Sequence, residues 1–163
     1  FRSHGIIRKK DYWNYDVVLN GFNFRLNDVA ASVGVSQLKK LKRFLGKRKK
    51  IANLYFRLLK NNKFIKFNFY SFPKYNSWHL FIILINFKSL KISKEKFLKK
   101  MNLKKIFPQV NYVPTSRYSV YRGGKKFKSS EDFYSQAISL PIFFDLKESQ
   151  VKTICKLVNK IKK

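Results

Sequence analysis

Acid is scarce in this chain beside base. Its 163 residues hold 8 Asp and Glu against 37 Lys and Arg, for a formal charge of +29. Paired carboxylates for acid and base work therefore have few places to come from. Cysteine is nearly absent. A single residue, Cys155, excludes an intrachain disulfide and fits a reducing compartment, so the expected location is cytoplasmic. With only two histidines, His4 and His79, and no cluster of ligand residues, no metal site is expected. The longest apolar run is Leu80 to Ile85. That is strand-sized and far short of the roughly 18–20 apolar residues that span a bilayer, so no membrane span is expected. The sequence has no phosphate-cradling glycine loop and no dinucleotide fingerprint; Gly123-Gly124 reads as a turn. Methionine occurs once, at Met101, and the chain begins at Phe1, so it reads as a piece of a longer protein.

Lys, Asn, Ile, Phe and Tyr together make up half of the residues. All five can be encoded with A and T alone, so an AT-rich genome accounts for the basic and aromatic excess. The competing reading is a basic module that binds nucleic acid or another polyanion. The lysines are spread along the whole length rather than gathered in one block, which disfavours a nucleic-acid partner.

Periodicity sets the expected elements. Residues 1–27 carry little of either period and read as an ordered loop. Asn27-Asp28 has the chemistry of a helix start. From there Val29, Val33, Leu38, Leu41, Leu45, Ala52, Tyr55, Leu58 and Leu59 keep helical spacing to about residue 60. Gly34 and Gly46 inside this helix suggest close packing or a bend. Ile65, Phe67 and Phe69 alternate with polar residues as a half-buried strand, and Trp78 to Asn86 reads as a strand covered on both faces. Ser93 is placed to cap a short helix carrying Phe97, Leu98 and Met101. Residues 106–113 look extended. Ser130 is expected to cap a helix with Phe133, Tyr134, Ala137 and Ile138 on one face. Asp145 to Glu148 resembles a capping box ahead of a last helix bearing Val151, Ile154, Cys155, Val158 and Ile161. The expected fold class is α+β with a mainly antiparallel sheet. The expected divisions are 1–27, a connecting helix over 28–60, and a small α+β domain over 61–163. Cys155 falls on an apolar stripe, which points to packing rather than nucleophilic chemistry.

Five short segments stand out in order: Ser3-His4-Gly5-Ile6; Gly21-Phe22-Asn23-Phe24-Arg25-Leu26-Asn27-Asp28; Ser36-Gln37-Leu38 followed by Arg48 to Tyr55; Ser77-Trp78-His79-Leu80-Phe81; and Gln109-Val110-Asn111-Tyr112-Val113-Pro114-Thr115. A sixth is Phe133 to Pro141. The set, covering residues 2 to about 160, resembles the sugar aminotransferases of the DegT/DnrJ/EryC1/StrS family. Trp13 and the Gln109–Thr115 segment resemble its pseudaminic acid branch.

That resemblance implies the C-terminal small domain of a pyridoxal-phosphate (PLP) enzyme of fold type I, with residues 1–27 closing the large domain. It implies a homodimer with shared active sites and a reaction that moves an amino group, from glutamate as donor, onto a nucleotide-linked keto-sugar. The PLP lysine would lie upstream of Ser3, so no catalytic residue is expected in this chain, and alone it would be inactive. Asn23 and Arg25 would help hold the cofactor phosphate for a neighbouring subunit; an amide and a guanidinium fork are suited to a phosphate. Gly21 would let that loop turn sharply. His79, Asn111 and Tyr112 would meet substrate, and Arg117 and Arg122 are further candidates for a diphosphate. The family carries His where this chain has Asn111, which keeps a donor and an acceptor but holds no proton near neutral pH. A non-catalytic remnant is a further alternative. With the rest of the body missing, Arg2 to Asn27 would be poorly packed.

Overall fold

The computed structural model describes residues 2–8, 10, 13–69, 72–121, 125 and 127–160. Its contacts divide the chain into two units, Phe1–Lys42 and Arg43–Lys163.

The first unit holds β1 (Ile6–Arg8) and β2 (Tyr15–Val17), paired antiparallel with Ile7 opposite Asp16. The loop expected over residues 1–27 therefore contains a small hairpin, whose three-residue strands are too short to leave an alternating pattern. A second zip runs beside it. His4 N donates to Phe22 O at 2.9 Å and Phe24 N to Arg2 O at 2.9 Å, with Ser3 bridged to Asn23. Two glycines allow this approach. Gly5 has a φ of +70°, and a Cβ there would fall 1.8 Å from Leu19 O. A Cβ on Gly21 would fall 2.2 Å from Gly5 N. Gly21 is thus required by backbone contact rather than by the sharp turn expected of it. No apolar side chain of the described residues 2–42 is buried.

Helix α1 (Asp28–Leu59) supplies residues to both units. Asn27 caps it, its Oδ1 accepting from Ala30 N at 2.8 Å. The apolar stripe behaves differently along its length. Ala52, Tyr55 and Leu59 are buried, whereas Val29 is 76% exposed and Leu38 67%. At Gly34 and Gly46 a Cβ would meet nothing within 4 Å, so neither marks close packing among the described residues.

In the second unit β3 (Ile65–Phe67), β4 (Phe81–Ile85) and β5 (Ala137–Leu140) form an antiparallel sheet in the order β3-β4-β5. Ile65 sits opposite Ile85, and Phe81 opposite Leu140. α2 (Phe87–Leu90), α3 (Lys94–Leu103), α4 (Lys128–Gln136) and α5 (Glu148–Lys160) complete the unit. The architecture is α+β with an antiparallel sheet. Tyr55, Phe81, Ile83, Phe97, Met101, Ile138 and Val151 form the centre of the core. It includes an aromatic cluster in which Tyr55 stacks on Phe81 at 5.0 Å and Phe72 on Trp78 at 4.9 Å.

Ser93 caps α3 as expected, accepting from Lys96 N at 3.1 Å. Two other helix starts differ. α4 begins at Lys128 after Phe127, with no side-chain cap, and Ser130 lies inside it. That helix stops at Gln136, because Ala137 to Leu140 are all buried and pair with β4 as the third strand. The extended segment 106–113 contributes only one bridge, Gln109 to Ser139. Before α5, Lys147 N donates to Gln150 Oε1 at 2.9 Å, so Gln150 and not Glu148 closes the cap. Ile161, Arg122 and Gly123-Gly124 lie outside the described residues.

Candidate substrate cavity and cofactor loop

Beside β5 the second unit contains a cavity of about 870 Å³. Three segments carry the candidate residues on its walls, beside Ser149, Gln150 and Thr153 of α5. β5 contributes Ser139 and Leu140, and the following Pro141 is fixed by Tyr55, whose hydroxyl donates to Pro141 O at 2.9 Å. Gln109 is held to β5 by a reciprocal pair: its N donates to Ser139 O at 2.9 Å, and Ser139 N to Gln109 O at 2.8 Å. That pairing carries Asn111 and Tyr112 onto the wall. The third element is the segment entering β4. Asn76 Oδ1 accepts from Trp78 N at 2.7 Å, Trp78 adopts a φ of 52°, and Arg48 Nη1 on α1 donates to Trp78 O at 3.0 Å and His79 O at 3.1 Å. His79 is exposed at the cavity, ahead of β4 rather than within a buried strand.

The structure thus gathers His79, Asn111 and Tyr112 around one cavity. Asn111 Oδ1 is buried and lacks a hydrogen-bond partner, and a buried acceptor without one is costly. Tyr112 is 72% exposed. Arg48, Gln109 and Gln150 also line the cavity, and the sequence reading gave them no role. Arg48 lay inside a recognised motif, but the carbonyls it holds are 30 and 31 residues away. Such a partner has no local signature.

Asn23 and Arg25 lie on the zipped loop of the first unit and are considered by themselves. Both are exposed, and neither side chain has a hydrogen-bond partner among the described residues. The backbone at Asn23 is held by the bridge to Ser3, so the loop presents an amide and a guanidinium from a fixed base. That donor set fits a phosphate.

Arg117 is placed differently from the sequence expectation. It makes a two-pronged pair with Glu131, with Nε to Oε1 at 3.0 Å, and its guanidinium lies 4.8 Å from the Tyr134 ring centroid. It borders a separate cavity of about 500 Å³ with Lys94 and Asp132. Lys94 donates to Tyr134 O, and burial lowers its pKa from the ordinary lysine value. Cys155 is buried in the core, and burial pushes its thiol up to about 12, in keeping with a packing role. Among the described residues no group of three His, Cys, Asp or Glu could hold a metal, and no helix is long and apolar enough to cross a membrane.

A family model described as the DegT/DnrJ/EryC1/StrS aminotransferase family matches residues 1–159. The chain belongs to that family. The UDP-4-amino-4,6-dideoxy-N-acetyl-β-L-altrosamine transaminase of Campylobacter jejuni serotype O:2 is 36% identical over 172 residues, covering 99% of this chain and 44% of the relative. The transaminase of the same name from Helicobacter pylori is 36% identical, covering 98% of this chain and 43% of the relative. Among solved structures, Helicobacter pylori PseC, an aminotransferase involved in the biosynthesis of pseudoaminic acid, matches at a TM-score of 0.82 and 36% identity over 99% of this chain and 44% of that one. The PLP form of a sugar aminotransferase from Streptococcus pneumoniae shares the fold at 22% identity and a TM-score of 0.80. The chain spans less than half the length of these proteins.

Proposed function

We propose that this chain is the C-terminal part of a PLP-dependent aminotransferase that moves an amino group, with glutamate as donor, onto a nucleotide-linked keto-deoxysugar in the cytoplasm. The observation that carries the reading is that one cavity is lined by His79, Asn111 and Tyr112, residues singled out from two separate motifs of this family. The likeness to the UDP-altrosamine transaminases supports a UDP-linked six-carbon keto-sugar used in surface polysaccharide or nonulosonic acid synthesis.

In this reading Arg25 binds a cofactor phosphate with its fork and Asn23 adds amide hydrogen bonds, both reaching into a partner subunit's site. PLP, when bound, supplies the electron sink for moving the amino group. Asn111 Oδ1 accepts a hydrogen bond from a sugar hydroxyl or amide, which would satisfy its buried oxygen. Tyr112, largely exposed at the cavity, packs on the sugar-nucleotide. His79 orients the substrate from the opposite motif. A homodimer is supported by the exposed apolar face of α1, with Val29, Val33 and Leu38, and by the stacked, exposed Phe22 and Phe24.

The test is a chimera in which this chain replaces the matching C-terminal part of the Helicobacter pylori transaminase. Glutamate-dependent amination of the UDP-keto-sugar by the chimera, and none by this chain alone, is the expected result. A folded, dimeric chimera that binds PLP yet aminates nothing would overturn the proposal in favour of a non-catalytic remnant.

A further inference from the structure

Arg48 is half committed. Its Nη1 donates to both Trp78 O and His79 O, which uses the two hydrogens of that nitrogen. Nε and Nη2 carry three more hydrogens and have no partner among the described residues. The Nε and Nη2 edge is a face that grips an oxyanion with two parallel bonds. The side chain is half-buried and lines the 870 Å³ cavity. Lys104 and Lys105 line the same cavity, and no Asp or Glu does so among the described residues. An arginine already tethered by two carbonyls loses little further freedom when it binds a ligand.

We propose that Arg48 is the fixed anchor of an oxyanion subsite in this cavity, assisted by Lys104 and Lys105. The anion is a phosphate of the nucleotide-sugar or the carboxylate of the amino donor. The inference rests on reading the cavity as the substrate site, and it adds an anchor outside the segment of Asn111. The two tethering bonds also tie His79 to the same guanidinium, so an anion on Arg48 and a sugar group beside His79 share one rigid wall.

The test uses the full 163-residue chain. UDP and L-glutamate are titrated separately, with amide chemical shifts and calorimetry as readouts. One of the two is expected to shift residues 78–80 and 109–112; which one identifies the anion. Arg48→Lys, which keeps the charge but loses the fork, is expected to weaken that ligand at least about ten-fold. Lys104→Gln with Lys105→Gln is expected to weaken it by a few-fold at low salt and less at high salt. Equal affinity for folded Arg48→Lys and the unaltered chain would overturn the proposal, as would the absence of shifts with both ligands. Should the Arg48 variant fail to fold, phenylglyoxal modification of the unaltered chain decides. The binding ligand is expected to protect Arg48, and no protection overturns the proposal. Binding here does not require transamination, so an inactive chimera with intact Arg48-dependent binding would sink the enzyme reading and leave this one standing.

Discussion

Replacing Tyr55 by Phe should destabilise the chain at neutral pH and protect it at high pH. The ring has no exposed surface and stacks on Phe81 at 5.0 Å, contacts that Tyr55→Phe keeps. The change removes one hydrogen bond, to Pro141 O at 2.9 Å, and leaves that carbonyl without its partner. The expected cost is about 1–2 kcal/mol. For a chain of this size that is a fall in Tm of roughly 2–8 °C. The alkaline arm runs the other way. Burial first, and the Cys155 thiol second, push the Tyr55 phenol above its ordinary value. Above about pH 10 the unfolded chain gives up this proton and the folded chain keeps it. The unfolded state then binds fewer protons, so the stability fully present below that pH is lost at about 1.4 kcal/mol per pH unit. Tyr55→Phe lacks this loss, so the two stability curves should cross near pH 11, about one unit above the phenol's ordinary pKa. Cys155 titrates in both proteins, and its effect cancels in the difference. Urea unfolding followed by circular dichroism, at neutral pH and in steps above pH 10, measures both arms. Parallel slopes for the two proteins at high pH would refute the reasoning, because they would mean Tyr55 ionises equally in both states.

Three further outcomes are expected. Cys155 should resist a thiol reagent at mildly alkaline pH in the folded chain and react fully in denaturant, since burial holds its thiol at about 12; fast labelling of the folded chain would place it at a surface instead. Ser93→Ala should cost about 1 kcal/mol through loss of the α3 cap, while Ser130→Ala, inside α4, should change stability by less than about 0.5 kcal/mol; urea midpoints compare the two. Arg117→Met should lower Tm by less than Tyr55→Phe does, despite its two-pronged pair with Glu131, because the arginine side chain is exposed; a Tm drop as large as that of Tyr55→Phe would show the pair to be worth more than its exposure allows.

Helix starts were legible where the signal is local. Asn27 and Ser93 each cap with their own oxygen onto an amide three residues on. α4 starts without such a cap, and Ser130 two residues later drew the boundary to itself. Ala137 to Leu140 continued the helical spacing of Phe133 and Tyr134. A buried run of four residues fits either period, and here pairing with β4 decides for the strand. The candidate residues of the cavity came by a different route. His79, Asn111 and Tyr112 came from motifs; the bridge between Gln109 and Ser139 carries Asn111 and Tyr112 to the cavity, while Arg48 holds the backbone at His79. The tie from Arg48 to Trp78 and His79 was not legible because the carbonyls it holds are ones that only the fold brings near.

The two glycine motifs of the first unit turn out to be one feature. Gly21 excludes a side chain because its Cβ would meet the backbone of His4 and Gly5, and Gly5 because its Cβ would meet the carbonyl of Leu19; this close approach lies where residues 2–4 zip against residues 22–24. Asn23 and Arg25 are therefore displayed by main-chain bonds, with no buried apolar side chain beneath them among the described residues. A hairpin of two three-residue strands is marginal by itself in water. The first half of α1 is in a similar position, since a helix without a packed face gains little beyond its own hydrogen bonds. The second half of the same helix buries Ile51, Ala52, Leu54, Tyr55 and Leu59. One helix thus has a core on one stretch and a bare apolar stripe on the other. Under the proposed homodimer, a partner's surface on the bare stripe would supply the packing that neither this stretch of α1 nor the loop of Asn23 and Arg25 finds among the described residues of the first unit.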